Sequence, residues 1–188
     1  MPKDFRQVDN LVLIYTGDGK GKTTAALGLT TRALREGWKV LMVQFIKSSK
    51  GSGEVGLKKI LPRLEVKCFG KGFIIKKQDN KITRKQNVDL ALRGLKFVTR
   101  AIDSGKYNVI ILDEIFVAHT LKLLRLSDII KLVRDFKCQS VRDKNSFLVL
   151  TGRGCPKSLY KYADLVTEMK EVKHPFKKGI KAIKGIDF

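Results

Sequence analysis

Short apolar runs rich in β-branched residues alternate along the chain with longer segments in which apolar residues recur every three or four positions. The short runs have the length of strands, and the longer segments have the periodicity of helices. This alternation predicts an α/β fold with a mostly parallel central sheet flanked by crossover helices. Strands are predicted at residues 11–16, 39–45, 64–69, 108–113, 147–151 and 165–169.

Three segments between the predicted strands have helical periodicity, at residues 22–35, 79–103 and 129–136. Ser127 precedes the third segment, and its hydroxyl is predicted to cap that helix because serine is a favoured N-cap residue. Residues 46–56 are polar and rich in glycine. They predict a surface loop long enough to carry functional residues.

The length of 188 residues predicts one domain spanning residues 1–188, because domains commonly hold about 100 to 200 residues. No apolar run approaches the roughly 18 residues that a membrane-spanning helix needs. The N-terminus has no apolar signal segment, and the three cysteines are widely spaced. We therefore expect a cytoplasmic protein with reduced thiols and no membrane partner.

The formal net charge of +21 comes from 39 Lys and Arg residues against 18 Asp and Glu residues. Such a charge is compatible with a nucleic-acid surface, an anionic ligand or simple solubility. The basic residues are spread along the chain and are not interleaved with aromatic residues. A solvated surface is therefore favoured, and a nucleic-acid partner is not expected.

A glycine-rich segment, TGDGKGKTT, lies between the first predicted strand and its helix. In this context glycines let backbone N–H groups converge on phosphate oxygens, and the helix N-terminus adds positive potential. The segment predicts an ATP triphosphate site, although Thr16 stands where the usual P-loop pattern has its first glycine. The alternative is a glycine turn that only caps the helix. The candidate ATP-binding residues are Gly17, Asp18, Gly19, Lys20, Gly21, Lys22, Thr23 and Thr24.

Two acidic residues lie at the end of the apolar run NVIILD. Asp113 is its last residue, and Glu114 follows it directly. In P-loop proteins an acid at this place approaches Mg²⁺ directly or through water, and the threonine after the P-loop lysine is a metal ligand. Thr23, Asp113 and Glu114 are therefore the candidate Mg²⁺ ligands. Either acid could instead cap or salt-bridge at the end of the strand, and the sequence does not choose between the two.

An ordered set of segments resembles the P-loop type of ATP:corrinoid adenosyltransferase from about Leu11 to Phe188. The resemblance implies a P-loop fold, a homodimer, and ATP and a corrinoid such as cobalamin as substrates. In that family the cobalt(I) of the corrinoid attacks the 5′ carbon of the ribose, and triphosphate leaves. The matching segments are TGDGKGKTTAALGL, VQFIK, GE, GF, ILDE, TGRGCP, ADLVTEM, KHPF and the late GI dipeptide.

The resemblance also implies roles for individual residues. Lys22, Thr23 and Glu114 are expected to be catalytic through the departing triphosphate. Phe73 matches the phenylalanine of an apolar wedge that expels the lower ligand of cobalt, and Ile75 stands where better-studied members have tryptophan. A reductase is expected to supply electrons to cobalt. The alternative for Phe73 and Ile75 is ordinary packing beside a strand.

Four polar residues in the matching segments have open roles. Arg153 could contact phosphate or form a structural ion pair. His174 precedes a proline and is expected to be a packed or capping side chain more readily than a catalyst. Gln44 and Glu54 are candidates for contact with the ribose or the metal, and surface polar roles are equally compatible with their positions.

Two other functions compete with adenosyl transfer at this point. A nucleic-acid-stimulated P-loop ATPase would use the charge and the adjacent acids Asp113 and Glu114. A corrinoid-handling protein would bind ATP without turnover. The TGRGCP and KHPF segments have no evident place in a motor ATPase, so adenosyl transfer is favoured.

Overall fold

The computed structural model describes residues 10–49, 53–72, 81–139 and 146–186. The strands are β1 (Asn10–Thr16), β2 (Val40–Gln44), β3 (Leu64–Cys68), β4 (Val109–Asp113), β5 (Ser146–Thr151) and β6 (Leu165–Glu168). The α-helices are α1 (Lys22–Arg35), α2 (Lys81–Asp103), α3 (Ile115–Thr120) and α4 (Leu126–Cys138). Short 3-10 helices cover Gly53–Lys59, Lys157–Tyr162 and Pro175–Lys178. None of the described helices is both long and apolar enough to cross a lipid bilayer.

All six strands form one parallel sheet in the order β3-β2-β4-β5-β1-β6. Every residue of β2 and β4 is buried, which agrees with their unbroken apolar sequences. The strands are parallel, so their carboxyl ends meet at one edge of the sheet, where α/β proteins commonly bind ligands. The predicted α/β fold with a parallel sheet is confirmed.

The core has one layer on each face of the sheet. Ala26 and Ala33 of α1 pack on one face against Val40 and Met42, while Leu41 on β2 belongs to the other layer. That second layer contains the buried faces of α2, α3 and α4. Alternate residues of a strand point to opposite faces, so β2 contributes to both layers. α1, which follows the phosphate loop, is thereby fixed against the sheet.

Two local features differ from the sequence prediction. α3 was not predicted, because IFVAHT continues the apolar run of β4 and is too short to establish a helical period. The predicted capping role of Ser127 is wrong. α4 begins at Leu126, its cap position is Arg125 in an extended conformation, and no side chain caps it.

Candidate active site at the carboxyl edge of the sheet

The phosphate loop joins β1 to α1, and Lys22 is the first residue of the helix. Its ammonium donates hydrogen bonds of 2.7 Å to the carbonyl oxygens of both Gly17 and Gly19. Lys22 is only 6% exposed, and burial lowers its pKa while the charge of Glu114 acts in the opposite direction. The loop therefore curves around a fixed cation at the start of a helix, as the P-loop prediction requires.

The end of β6 packs directly against this loop. The amide of Gly19 donates to the carbonyl oxygen of Met169 at 2.7 Å, and the amide of Met169 donates to the carbonyl oxygen of Thr16 at 2.8 Å. Gly17 has a φ of +98°, and a Cβ built there would lie 2.4 Å from the Met169 oxygen. Glycine is required at this position because backbone fills the place of a side chain.

Thr16 occupies the position at which the usual pattern has glycine, and it is 3% exposed. Its hydroxyl accepts a hydrogen bond of 3.3 Å from the amide of Cys155. The variant residue therefore ties the phosphate loop to the TGRGCP segment that follows β5. The three cysteines, Cys68, Cys138 and Cys155, are free thiols.

Asp113 lies beneath the loop and is fully buried. Its Oδ1 accepts hydrogen bonds from the hydroxyls of Thr23 at 2.8 Å and Thr151 at 2.9 Å. Its Oδ2 accepts a hydrogen bond of 3.2 Å from the amide of Gln44. These donors come from α1, β5 and β2, so the carboxylate is oriented by three separate elements. Asp113 therefore fixes the rotamer of Thr23 from below.

Gln44 belongs to this network and not to the surface. It is fully buried, and its Oε1 accepts a hydrogen bond of 3.2 Å from the thiol of Cys68. The surface alternative for Gln44 is wrong. Its amide orients Asp113 and does not line the cleft, so the structure gives no support to a direct ribose contact.

Glu114 differs from Asp113 in its surroundings. Its backbone is left-handed, with φ of 59°, and its amide donates to the hydroxyl of Thr151 at 3.0 Å. Its Oε2 is buried and has no hydrogen-bond partner among the described residues. Burial and then the neighbouring Asp113 raise the pKa of Glu114, while Lys22 acts against them. Glu114 thus brings an unpartnered carboxylate oxygen to the cleft that Thr23 also lines, where a cation would be favourable.

A buried ion pair completes this end of the sheet. The ammonium of Lys47 lies 2.7 Å from Oε1 of Glu54 and 3.9 Å from Oδ2 of Asp113. Glu54 is 8% exposed, so the surface alternative is wrong for this residue as well. Lys47 offsets the negative charge that Glu54, Asp113 and Glu114 bring to the same place.

The phosphate loop, the segments that follow β2, β4 and β5, and the C-terminal segment line a cleft of about 810 Å³. This volume is in the range of pockets for small ligands and cofactors. Gly19, Lys20, Gly21, Lys22, Thr23 and Thr24 line it, together with Lys47, Glu54, Glu114, Arg153, His174 and Lys184, among others. Gly17 and the exposed Asp18 both lie outside the lining, so their predicted ATP contacts gain no support.

Arg153 and His174 are both brought to this cleft. Arg153 is exposed, and no carboxylate of a described residue lies within ion-pair distance of its guanidinium. This arrangement favours the phosphate contact over the structural ion pair. His174 is half-buried at the wall of the cleft. The wedge residues Phe73 and Ile75 lie outside the described residues, so their role stays a prediction.

Three residues of the site were missed by sequence reasoning. Thr151 and Lys47 were noticed only as parts of matching segments, and Lys184 was not considered. Thr151 could have been found, because it ends a predicted strand and the ends of neighbouring parallel strands share an edge. Lys47 and Lys184 carry no comparable signal among 39 basic residues.

Residues 9–188 match the family described as ATP:corrinoid adenosyltransferase BtuR/CobO/CobP. The chain belongs to this family. It is 33% identical over 184 residues to the corrinoid adenosyltransferase of Pseudomonas aeruginosa, covering 97% of this chain and 86% of that protein. It is 32% identical to the Escherichia coli K12 corrinoid adenosyltransferase over 179 residues, 95% of this chain and 85% of that protein.

The adenosyltransferase chain also resembles a solved structure of lower identity. The flagellar accessory protein FlaH of Methanocaldococcus jannaschii superposes with a TM-score of 0.52 at 14% identity, covering 84% of this chain and 70% of that one. This likeness shows the fold alone. The family assignment makes the protein an enzyme that transfers the adenosyl group of ATP to a corrinoid, and it does not favour a nucleic-acid-stimulated ATPase.

Proposed function

We propose that adenosyl transfer takes place in the cleft beside the phosphate loop, with the triphosphate of ATP held as the leaving group by the loop residues that line the cleft, Gly19–Thr23. The observation that carries this proposal is the buried ammonium of Lys22 inside the loop, beside a threonine hydroxyl that a buried aspartate orients. A cation and a helix N-terminus at one point form a site for a polyanion.

In the proposed reaction, the cobalt(I) centre of the corrinoid donates an electron pair to C5′ of the ribose. A cobalt–carbon bond forms, the C5′–O bond breaks, and the bonding electrons leave on the triphosphate oxygen. Negative charge therefore grows on the phosphate next to the ribose. Lys22, the loop amides and Arg153 stabilise that charge, so they lower the energy of the transition state more than that of bound ATP.

Magnesium is the divalent cation that we propose for this site. The Thr23 hydroxyl donates its hydrogen to Asp113, which leaves its lone pairs to accept a cation, and Glu114 offers an unpartnered carboxylate oxygen. These oxygen donors fit Mg²⁺, which prefers one or two carboxylate or hydroxyl ligands with phosphates and water. Thr23 and Glu114 would hold the ion directly, and Asp113 would act from the outer shell. Bound there, Mg²⁺ would neutralise charge on the triphosphate.

The corrinoid side of the proposal rests on the family resemblance. Phe73 and Ile75 remain the proposed wedge beside the cobalt, and cobalamin is the proposed substrate. We also propose an electron-donating reductase as a partner, a cytoplasmic location and a homodimer. Leu165 and Val166 leave apolar surface on the edge strand β6 that a second copy could cover.

The direct test combines ATP, Mg²⁺ and chemically reduced cobalamin with the purified protein. The expected products are inorganic triphosphate and a light-sensitive cobalt–carbon compound. Lys22→Ala is expected to lower kcat by about 100- to 1000-fold, as is usual when a donor to a developing anion is removed. Lys131→Ala, on the exposed surface of α4, is the matched control and should keep full activity. Release of ADP and phosphate in place of triphosphate would contradict the proposal.

A further inference from the structure

The C-terminal segment, residues 173–186, follows β6 and returns to the cleft that the phosphate loop lines. His174 near its start and Lys184, Gly185 and Ile186 near its end all belong to the cleft wall. The segment leaves the sheet at Met169, whose backbone is bonded on both sides to the phosphate loop. One stretch of chain therefore connects the triphosphate site to a second wall of the same cleft.

Hydrogen bonds and an ion pair give this segment a defined shape. The amide of Lys177 donates to the carbonyl oxygen of His174 at 3.1 Å, and its ammonium lies 2.5 Å from Oε1 of Glu171. A later turn is closed by the amide of Ile186 donating to the carbonyl oxygen of Ile183 at 3.1 Å. The described part of the segment thus contains two local turns, and its last residues line the cleft.

Part of this wall is apolar, unlike the phosphate loop. Ile186 lines the cleft together with Leu27, Leu57 and Val117. Ile186 is 67% exposed, so most of its apolar surface is uncovered at the place where a ligand would bind. An uncovered apolar side chain facing a cleft is suited to the flat, largely apolar face of a nucleoside.

The position of Leu27 relates this wall to the phosphates. Leu27 follows Thr23 by four residues on α1, which is about 6 Å along the helix axis. That distance is within the reach of a sugar and base attached to a triphosphate at the loop. We propose that the C-terminal segment binds the nucleoside half of ATP through Ile186, while the phosphate loop binds the triphosphate half. This inference rests on the proposed binding of ATP in the cleft.

Binding measurements without any corrinoid test the inference separately from catalysis. The probes are ATP and inorganic triphosphate, each titrated with Mg²⁺ by isothermal calorimetry into the full-length wild type, Ile186→Ser and Ile180→Ser. Ile180 is 50% exposed in the same segment and does not line the cleft, which makes it the matched control. Ile186→Ser should weaken ATP about tenfold, the change typical of a lost apolar contact, and leave triphosphate unchanged.

Three results would overturn the inference. Equal ATP affinity in Ile186→Ser and the wild type would remove Ile186 from the nucleoside site. Equal weakening of ATP and triphosphate would place the effect on the phosphate loop. Normal ATP binding together with weakened cobalamin binding, measured in a separate titration, would assign the wall to the corrinoid. In steady-state assays, the expected change is a higher KM for ATP with little change in kcat. Failure of adenosyl transfer in the wild type would refute the proposed function without altering these binding results.

Discussion

Replacing Gly17 with alanine tests the contact between the phosphate loop and the end of β6. The added Cβ would lie 2.4 Å from the Met169 oxygen, so the backbone must move by about 0.6 Å to reach the 3.0 Å below which real Cβ contacts essentially do not occur. The φ of +98° adds strain of about 1–3 kcal/mol for a residue with a side chain. Displacing Met169 also weakens its hydrogen bonds to Gly19 and Thr16, worth about 0.5–1.5 kcal/mol each.

These contributions together predict a loss of about 4 kcal/mol, which corresponds to a fall in Tm of roughly 8–16 °C for a protein of this size. Thermal unfolding followed by circular dichroism measures the change, and calorimetry should show weakened ATP binding. Gly28→Ala is the control, because a Cβ there meets nothing within 4 Å. In the helix α1 it should raise stability by up to about 1 kcal/mol. A wild-type Tm for Gly17→Ala would refute the reasoning.

Two further substitutions test the electrostatics. Burial raises the pKa of Glu114, so the folded state favours its protonated form and the free protein loses stability as pH rises above the ordinary carboxyl range. In urea with a chelator present, Glu114→Gln should therefore be more stable than the wild type at pH 8, with little difference at pH 4. The same variant should bind Mg²⁺ and ATP less tightly. Equal stability of the two proteins at pH 8 would contradict this reasoning. The pKa of Glu65 is lowered to about 2, first by its hydrogen bond with Tyr107 and then by Lys67 and Lys106. The stability that the ionised Glu65 contributes is therefore present at neutral pH and lost as pH falls from about 4.5 through 2. Glu65→Gln should show a small stability deficit at pH 7 that disappears near pH 2, and a deficit independent of pH would count against the assignment.

The sheet and the phosphate loop could be predicted because their signals are local. Each strand is a short apolar run, and the loop shows its chemistry in consecutive residues from Gly17 to Thr23. β2 and β4 are buried on both faces, so apolar and polar residues do not alternate along them. Their continuous apolar sequences are therefore easy to recognise as strands. α3 could not be predicted for the same reason, because the apolar sequence of β4 passes into the helix without a change of period.

The different surroundings of Asp113, which is held in a buried hydrogen-bond network, and Glu114, which faces the cleft, could not be predicted from their adjacent positions. Asp113 is fixed by Gln44 and Thr151, which are 69 and 38 residues away in sequence but end strands on either side of β4. Glu114 faces the cleft after a left-handed backbone turn at φ 59°, which a glutamate rarely adopts. Both facts arise from the packing of neighbouring strand ends, and no spacing rule in the chain encodes them.

The hydrogen bond from Gly19 to Met169 decides which part of the loop can receive phosphate. A backbone amide has one hydrogen to donate, and that of Gly19 is already committed to a carbonyl of the sheet edge. In the proposed complex the triphosphate would therefore be bound by amides from Lys20 onward, beside the first turn of α1, where the helix dipole is strongest. In that complex the backbone of Met169, directly after β6, would act as a spacer that sets the depth of the triphosphate.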